Sequence, residues 1–113
     1  MPKGDHLGEL EHVVLLALAR LPSSDAYGMA IVDEIGRRTA REVSVGAVYS
    51  ALDRMERKGL LTSEVGDPSP ARGGRARRCY RLRAEGRQAL MEARETFQAL
   101  WAGVDLRGLD VAP

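Results

Sequence analysis

Cysteine is almost missing from these 113 residues. Cys79 stands alone, so no intrachain disulfide can form, and a reducing, cytoplasmic setting is the expectation. Histidine is nearly as scarce: only His6 and His12 accompany the thiol, which argues against a metal site, and no cofactor is expected. No apolar run approaches the length of a bilayer span. The longest goes from Val13 to Ala19, so no membrane partner is expected. The start, Met1-Pro2-Lys3-Gly4-Asp5, lacks the apolar core of a signal peptide. Catalytic groupings are missing too. Cys79 has no nearby histidine in sequence, Asp33, Glu34, Glu9 and Glu11 are dispersed, and no phosphate-binding glycine motif precedes a helix; an enzyme is not expected.

Net charge is also lacking, at +1. That value hides an asymmetry. Residues 1–34 carry two bases and six acids, residues 35–83 twelve bases and five acids, and residues 84–113 three bases and five acids. The segment nets are −4, +7 and −2. Positive charge gathered in the middle of the chain suits a module with one side facing a polyanion. The length allows one small domain with one core.

Within the positive segment, the stretch from Ser44 to Leu61 reads as a capped helix. Ser44 is placed to accept a hydrogen bond from a first-turn N–H. Val45, Val48, Leu52 and Met55 recur at spacings of three and four and should share a buried face. Tyr49, Ser50, Asp53, Arg54 and Arg57 fall on the other side. Gly59 followed by Leu60 suits a Schellman stop. Two helices should precede it, Leu7 to Leu21 and Ala26 to Arg38, with Ser24 or Asp25 capping the second and Val43 stapling the third. After it the period changes. Leu61 to Val65 and Arg77 to Leu82 alternate around a Gly/Pro-rich tip, which predicts a β-hairpin. Three helices and a hairpin make a mainly α fold with a small β element, the winged helix-turn-helix layout, over residues 1–83. Residues 84–113 should form a C-terminal dimerisation helix, from about Ala84 to Ala102, and a frayed tail. Leu90, Ala93, Phe97, Leu100 and Val104 repeat at heptad spacing beside Trp101, a stripe that suggests a partner chain.

The ordered set of short motifs resembles the PadR family of transcriptional regulators. It comprises Leu7-Gly8-Glu9-Leu10-Glu11, Asp25-Ala26-Tyr27-Gly28, Ser44-Val45-Gly46-Ala47-Val48-Tyr49 with Leu52 and Lys58-Gly59-Leu60, and Arg72-Gly73-Gly74-Arg75 leading to Tyr80-Arg81-Leu82 and Gly86. The resemblance implies a cytoplasmic homodimeric repressor of the short form, released from DNA by a small apolar or phenolic compound or a drug. Two positions depart from the family pattern: Cys79-Tyr80 replaces a tyrosine pair, and Arg83 stands where a threonine would cap the last helix.

These readings together name double-stranded DNA, a second copy of the chain and a small aromatic effector as partners. Ser44, Gly46 and Ala47 leave the backbone at the helix start open to a phosphate. Tyr49 and Ser50 are one turn in, and Arg54 and Arg57 lie further along, where arginine meets phosphate or guanine. Tyr49 has a second reading, as a packed ring with a wet hydroxyl. Six arginines and no acid lie between Arg72 and Arg83; Arg72, Arg75 and Arg77 near the hairpin tip should follow the phosphate backbone. Phe97 and Trp101 are either dimer core or the walls of an effector slot, with Leu15, Leu16 or Met91 beside them. Cys79 is expected to be a buried small residue. The rival function is a protein-interaction adaptor that keeps the winged-helix scaffold without using it on DNA.

Overall fold

The computed structural model describes residues 6–66 and 77–113. The elements are α1 (Glu9–Ala19), α2 (Gly28–Arg38), α3 (Val45–Arg57), β1 (Leu61–Val65), β2 (Arg78–Leu82) and α4 (Ala84–Trp101). Short 3-10 turns occupy Ser23–Asp25 and Leu106–Gly108.

Aliphatic side chains from α1, α2 and α3 form the core. Val14, Leu15, Ile31, Val48, Leu52 and Met55 are fully buried, and Leu61 and Tyr80 close the core from the hairpin. Leu15 was a candidate wall of an effector slot; its complete burial makes it a core residue instead. The spacing within α3 reads correctly except at its start. Ala51 joins Val48, Leu52 and Met55 inside, whereas Val45 is 38% exposed. Val45 belongs to the first turn, before the helix has entered the space between its neighbours. Val43 packs against the core just ahead of the Ser44 cap. At the other end Gly59 has a φ of +79°, its N–H bonds Glu56 O at 3.0 Å, and the Leu60 N–H bonds Met55 O at 3.0 Å. That is the Schellman pattern expected from Gly59-Leu60.

The start of α2 differs from the expectation. Neither Ser24 nor Asp25 caps it, because both are used in the preceding 3-10 turn; the N-cap is Tyr27, which makes no side-chain cap bond. Backbone groups at Ala26 and Tyr27 serve the hairpin instead. The Tyr80 N–H donates to Ala26 O at 2.8 Å, and Tyr27 forms an isolated antiparallel bridge with Cys79. Cys79 is accordingly half-buried rather than enclosed. In the hairpin β1 and β2 run antiparallel from Leu61 opposite Leu82 to Val65 opposite Arg78.

Gly86 and Ala89 seat the first turns of α4 on the domain. Arg83, its N-cap, makes no side-chain cap bond, as its chemistry requires, and its N–H donates to Leu60 O at 3.0 Å. Beyond Ala93 every residue of α4 is exposed. The segment after α4 holds a 3-10 turn over Leu106–Gly108, capped by the Asp105 carboxylate. No helix among the described residues is long and apolar enough to cross a membrane.

Candidate nucleic-acid interface

The burial of Val48, Ala51, Leu52 and Met55 fixes which side of α3 faces outward. Ser44, Val45, Gly46, Tyr49, Ser50, Asp53, Arg54 and Arg57 lie on the side open to solvent, and Ala47 is half-buried. The Ser44 Oγ accepts the Ala47 N–H at 3.1 Å, which satisfies one of the free amides of the first turn. A Cβ at Gly46 would meet nothing within 4 Å, so the absence of a side chain there is not demanded by packing. It leaves the helix start free of bulk on its outer side.

Tyr49 combines the two readings open to it. Its ring lies against Gly28 at the start of α2, where a Cβ would come within 2.3 Å of Tyr49 Cζ, yet the residue keeps 40% exposure. Glycine at position 28 is what lets the ring lie there. The Tyr27-Gly28 pair thus has two jobs, a strand-like pairing with Cys79 and a seat for Tyr49. In the sequence only the family resemblance marks the pair, since nothing local to Gly28 reveals a tyrosine twenty-one positions away.

The arginines of α3 have acidic neighbours. Arg54 Nε stands 3.7 Å from Glu11 Oε2, and Arg57 Nη2 stands 3.0 Å from Asp53 Oδ2. Lys58 Nζ donates to both Glu11 oxygens, at 3.3 and 3.1 Å. Glu11 is 5% exposed and also accepts the Gly8 N–H at 2.9 Å. Burial disfavours its charge, but the Gly8 N–H, Lys58 and Arg54 outweigh that cost and hold its pKa below the usual glutamate value. This cluster ties the C-terminal half of α3 to the start of α1. Nothing local to Glu11 in the sequence marks this cluster, since Arg54 lies on a different helix and Lys58 is the C-cap of that helix.

A second acid gathers arginines behind α2. Hydrogen bonds from Arg37 and Arg38 lower the pKa of Glu34, and Arg20 Nε lies 3.4 Å from it. Arg41 pairs with Glu9 at 2.7 Å. On the hairpin the arrangement is looser. The Arg77 guanidinium lies 4.0 Å from the centre of the Tyr27 ring, a cation–π interaction, and Arg78 Nη1 donates to Ser63 Oγ at 2.9 Å. Arg77, Arg78 and Arg81 have no ion pair among the described residues. Arg72 and Arg75 lie outside the described residues. Arg77 therefore sits at the foot of the wing, beside the Tyr27-Gly28 seat that also receives Tyr49 of α3.

The α4 stripe stands apart from this face. Leu90 and Ala93 are half-buried, while Phe97, Leu100, Trp101 and Val104 are 54, 68, 56 and 45% exposed. Between α1 and α4 runs an open groove of about 670 Å³ whose apolar lining is Leu16, Leu90, Met91, Phe97 and Trp101. His12, Arg87, Arg94 and Gln98 rim it.

This architecture has relatives. Residues 15–92 match the Transcriptional regulator PadR-like family. The chain belongs to that family. Its order of helices and hairpin, with the exposed α3 front, is the PadR winged-helix fold anticipated from the motifs. Transcriptional regulator Rv3488 of Mycobacterium tuberculosis is 38% identical over 88 residues, which is 78% of each chain. A PadR family transcription regulator from Clostridium difficile superposes with a TM-score of 0.69 at 25% identity, covering 84% of this chain and 93% of its own. A PadR family transcriptional regulator from Eggerthella lenta gives 0.66 at 30% identity, covering 84% and 81%. Membership of the PadR family makes the protein a transcriptional regulator and not an enzyme.

Proposed function

We propose that this PadR-like protein is a cytoplasmic, homodimeric repressor that inserts α3 into the major groove of an inverted-repeat operator. The observation that carries the reading is the division of α3. Val48, Ala51, Leu52 and Met55 are buried completely, while Ser44, Gly46, Tyr49 and Ser50 stand outside on a helix left unobstructed at its N-terminus. Backbone amides and the helix dipole at that end favour a phosphate, and Tyr49 and Ser50 reach one turn deeper. Arg54 and Arg57 exchange a carboxylate for a phosphate when the duplex arrives. Arg72, Arg75 and Arg77 of the wing follow the adjacent backbone, where six arginines without an acid are suited to displacing counterions.

Dimerisation uses Leu90, Ala93, Phe97, Leu100, Trp101 and Val104, an apolar stripe that the protomer leaves largely in water. A two-fold dimer reads half-sites about 10 bp apart or a multiple of that. The groove beside Phe97 and Trp101 takes a flat aromatic effector, and binding there releases the operator. Tyr49→Ala in a gel-shift assay tests the reading role: specific affinity should fall more than non-specific affinity, and an equal loss on both would demote Tyr49 to packing. Quenching of Trp101 fluorescence by planar aromatic compounds tests the effector site.

A further inference from the structure

Residues 102–113 are exposed throughout. The segment is nonetheless shaped. Gly103 turns the chain at a φ of +79°, a value that suits glycine, and the Val104 N–H returns to Trp101 O at 2.9 Å. Asp105 accepts the Arg107 N–H at 3.0 Å and pairs with its guanidinium at the same distance. The segment so formed displays Leu106, Leu109 and Val111 at 58, 53 and 75% exposure. A cluster of this kind at the end of a protruding helix gains free energy only by covering an apolar surface elsewhere.

The groove between α1 and α4 offers such a surface. His12, Arg87 and Arg94 stand on its rim. Arg87 and Arg94 make no ion pair among the described residues. The tail has the matching charge: Arg107 neutralises Asp105, which leaves Asp110 as its excess acid.

We infer that the Val104–Val111 segment of one copy seats on the Leu16–Arg87 end of this groove in a second copy. The inference rests on the homodimer proposed above. Pairing the α4 stripes antiparallel about Phe97 sets Val104 of one copy beside Leu90 of the other. The residues that follow are then carried toward Arg87. Two-fold symmetry repeats the clasp on the other side, and each groove is complete only with the other copy's tail.

Two experiments on the full chain test the clasp. Leu106→Asp combined with Leu109→Asp should raise the dimer dissociation constant in analytical ultracentrifugation by about tenfold or more, since two apolar side chains leave the interface. Neither leucine is in the core, so circular dichroism should not change; an unchanged dissociation constant overturns the clasp. In a Cys79→Ser background, a chain carrying Leu109→Cys is mixed with one carrying Leu16→Cys and treated with a short bis-maleimide. A linked product of the two different chains supports the clasp. A dimer that yields no mixed product overturns the clasp and leaves the dimer standing. A wild-type chain that sediments only as a monomer overturns both.

Discussion

Tyr49 of α3 rests on Gly28 of α2, so closely that a Cβ at position 28 would stand 2.3 Å from its Cζ and 2.4 Å from its hydroxyl oxygen. This packing couples the orientation of an exposed α3 side chain to the one residue type with no side chain. Gly28→Ala should push the tyrosine ring off its seat at a cost of about 1–3 kcal/mol. On the proposed operator the affinity should fall about tenfold, with a smaller effect in a Tyr49→Ala background where there is nothing left to displace. A double-mutant cycle of gel shifts and thermal melts measures both quantities.

Gly86 is held more rigidly than Gly28. A Cβ there would lie 2.1 Å from Leu60 O, the same carbonyl that accepts the Arg83 N–H. Backbone cannot swing aside as a side chain can. Gly86→Ala should therefore destabilise the domain by about 2 kcal/mol or more and lift α4 away from the turn after α3. Chemical denaturation gives the loss directly.

Acid should weaken the fold through Glu11 and Glu34. Both have pKa values lowered from 4.5 in the folded chain. For Glu11 burial opposes ionisation, and the Gly8 N–H with Lys58 and Arg54 overcomes it; for Glu34 hydrogen bonds from Arg37 and Arg38 dominate. A carboxylate with a depressed folded pKa contributes stability above its unfolded pKa and loses that contribution as pH falls through the folded value. The denaturant midpoint should hold at neutral pH and drop below about pH 4.5. In Glu11→Gln it should start lower at neutral pH and fall less steeply on acidification. An unaltered profile would show that the Lys58–Glu11 pair is not maintained in solution.

Neutralising the wing should act on all sequences alike. Arg75→Ala with Arg77→Ala is expected to weaken specific and non-specific duplexes about equally, and to reduce the salt slope by about 1 for each phosphate that the wing no longer neutralises. An unchanged slope in a gel-shift salt titration would contradict the wing assignment. Arg77→Ala alone also removes the stacking on Tyr27, so Arg77→Lys serves as the control that keeps the charge.

The elements of this fold are legible in the sequence because their signals are local. Ser44 at the start of α3, Gly59-Leu60 at its end and the alternation in Leu61–Val65 each report a backbone state within a few residues. The errors fall where distant residues decide. Ser24 and Asp25 have cap chemistry, but the bridge between Tyr27 and Cys79 moves the start of α2 past them. Val45 fits the periodicity of a buried face, yet nothing sits over the first turn to bury it. Glu11 shows no local sign of Lys58, forty-seven residues away, and Gly28 none of Tyr49. At the candidate interface the exposed side of α3 could be read from periodicity alone. The Asp53–Arg57 pair has the i,i+4 spacing that a sequence shows, but Glu11 beside Arg54 could not be read, because it arrives only through the packing of α1 on α3.

The proposed role of the exposed front of α3 is to read a duplex. Selection of bound fragments from the source genome, followed by footprinting of the enriched site, tests it most directly. The expected result is a small set of fragments sharing an inverted repeat with half-sites about one helical turn apart, protected by the wild-type protein and no longer protected by Tyr49→Ala. No enrichment over random fragments, together with no salt-sensitive duplex affinity, would contradict the claim and favour a winged-helix scaffold that engages protein instead.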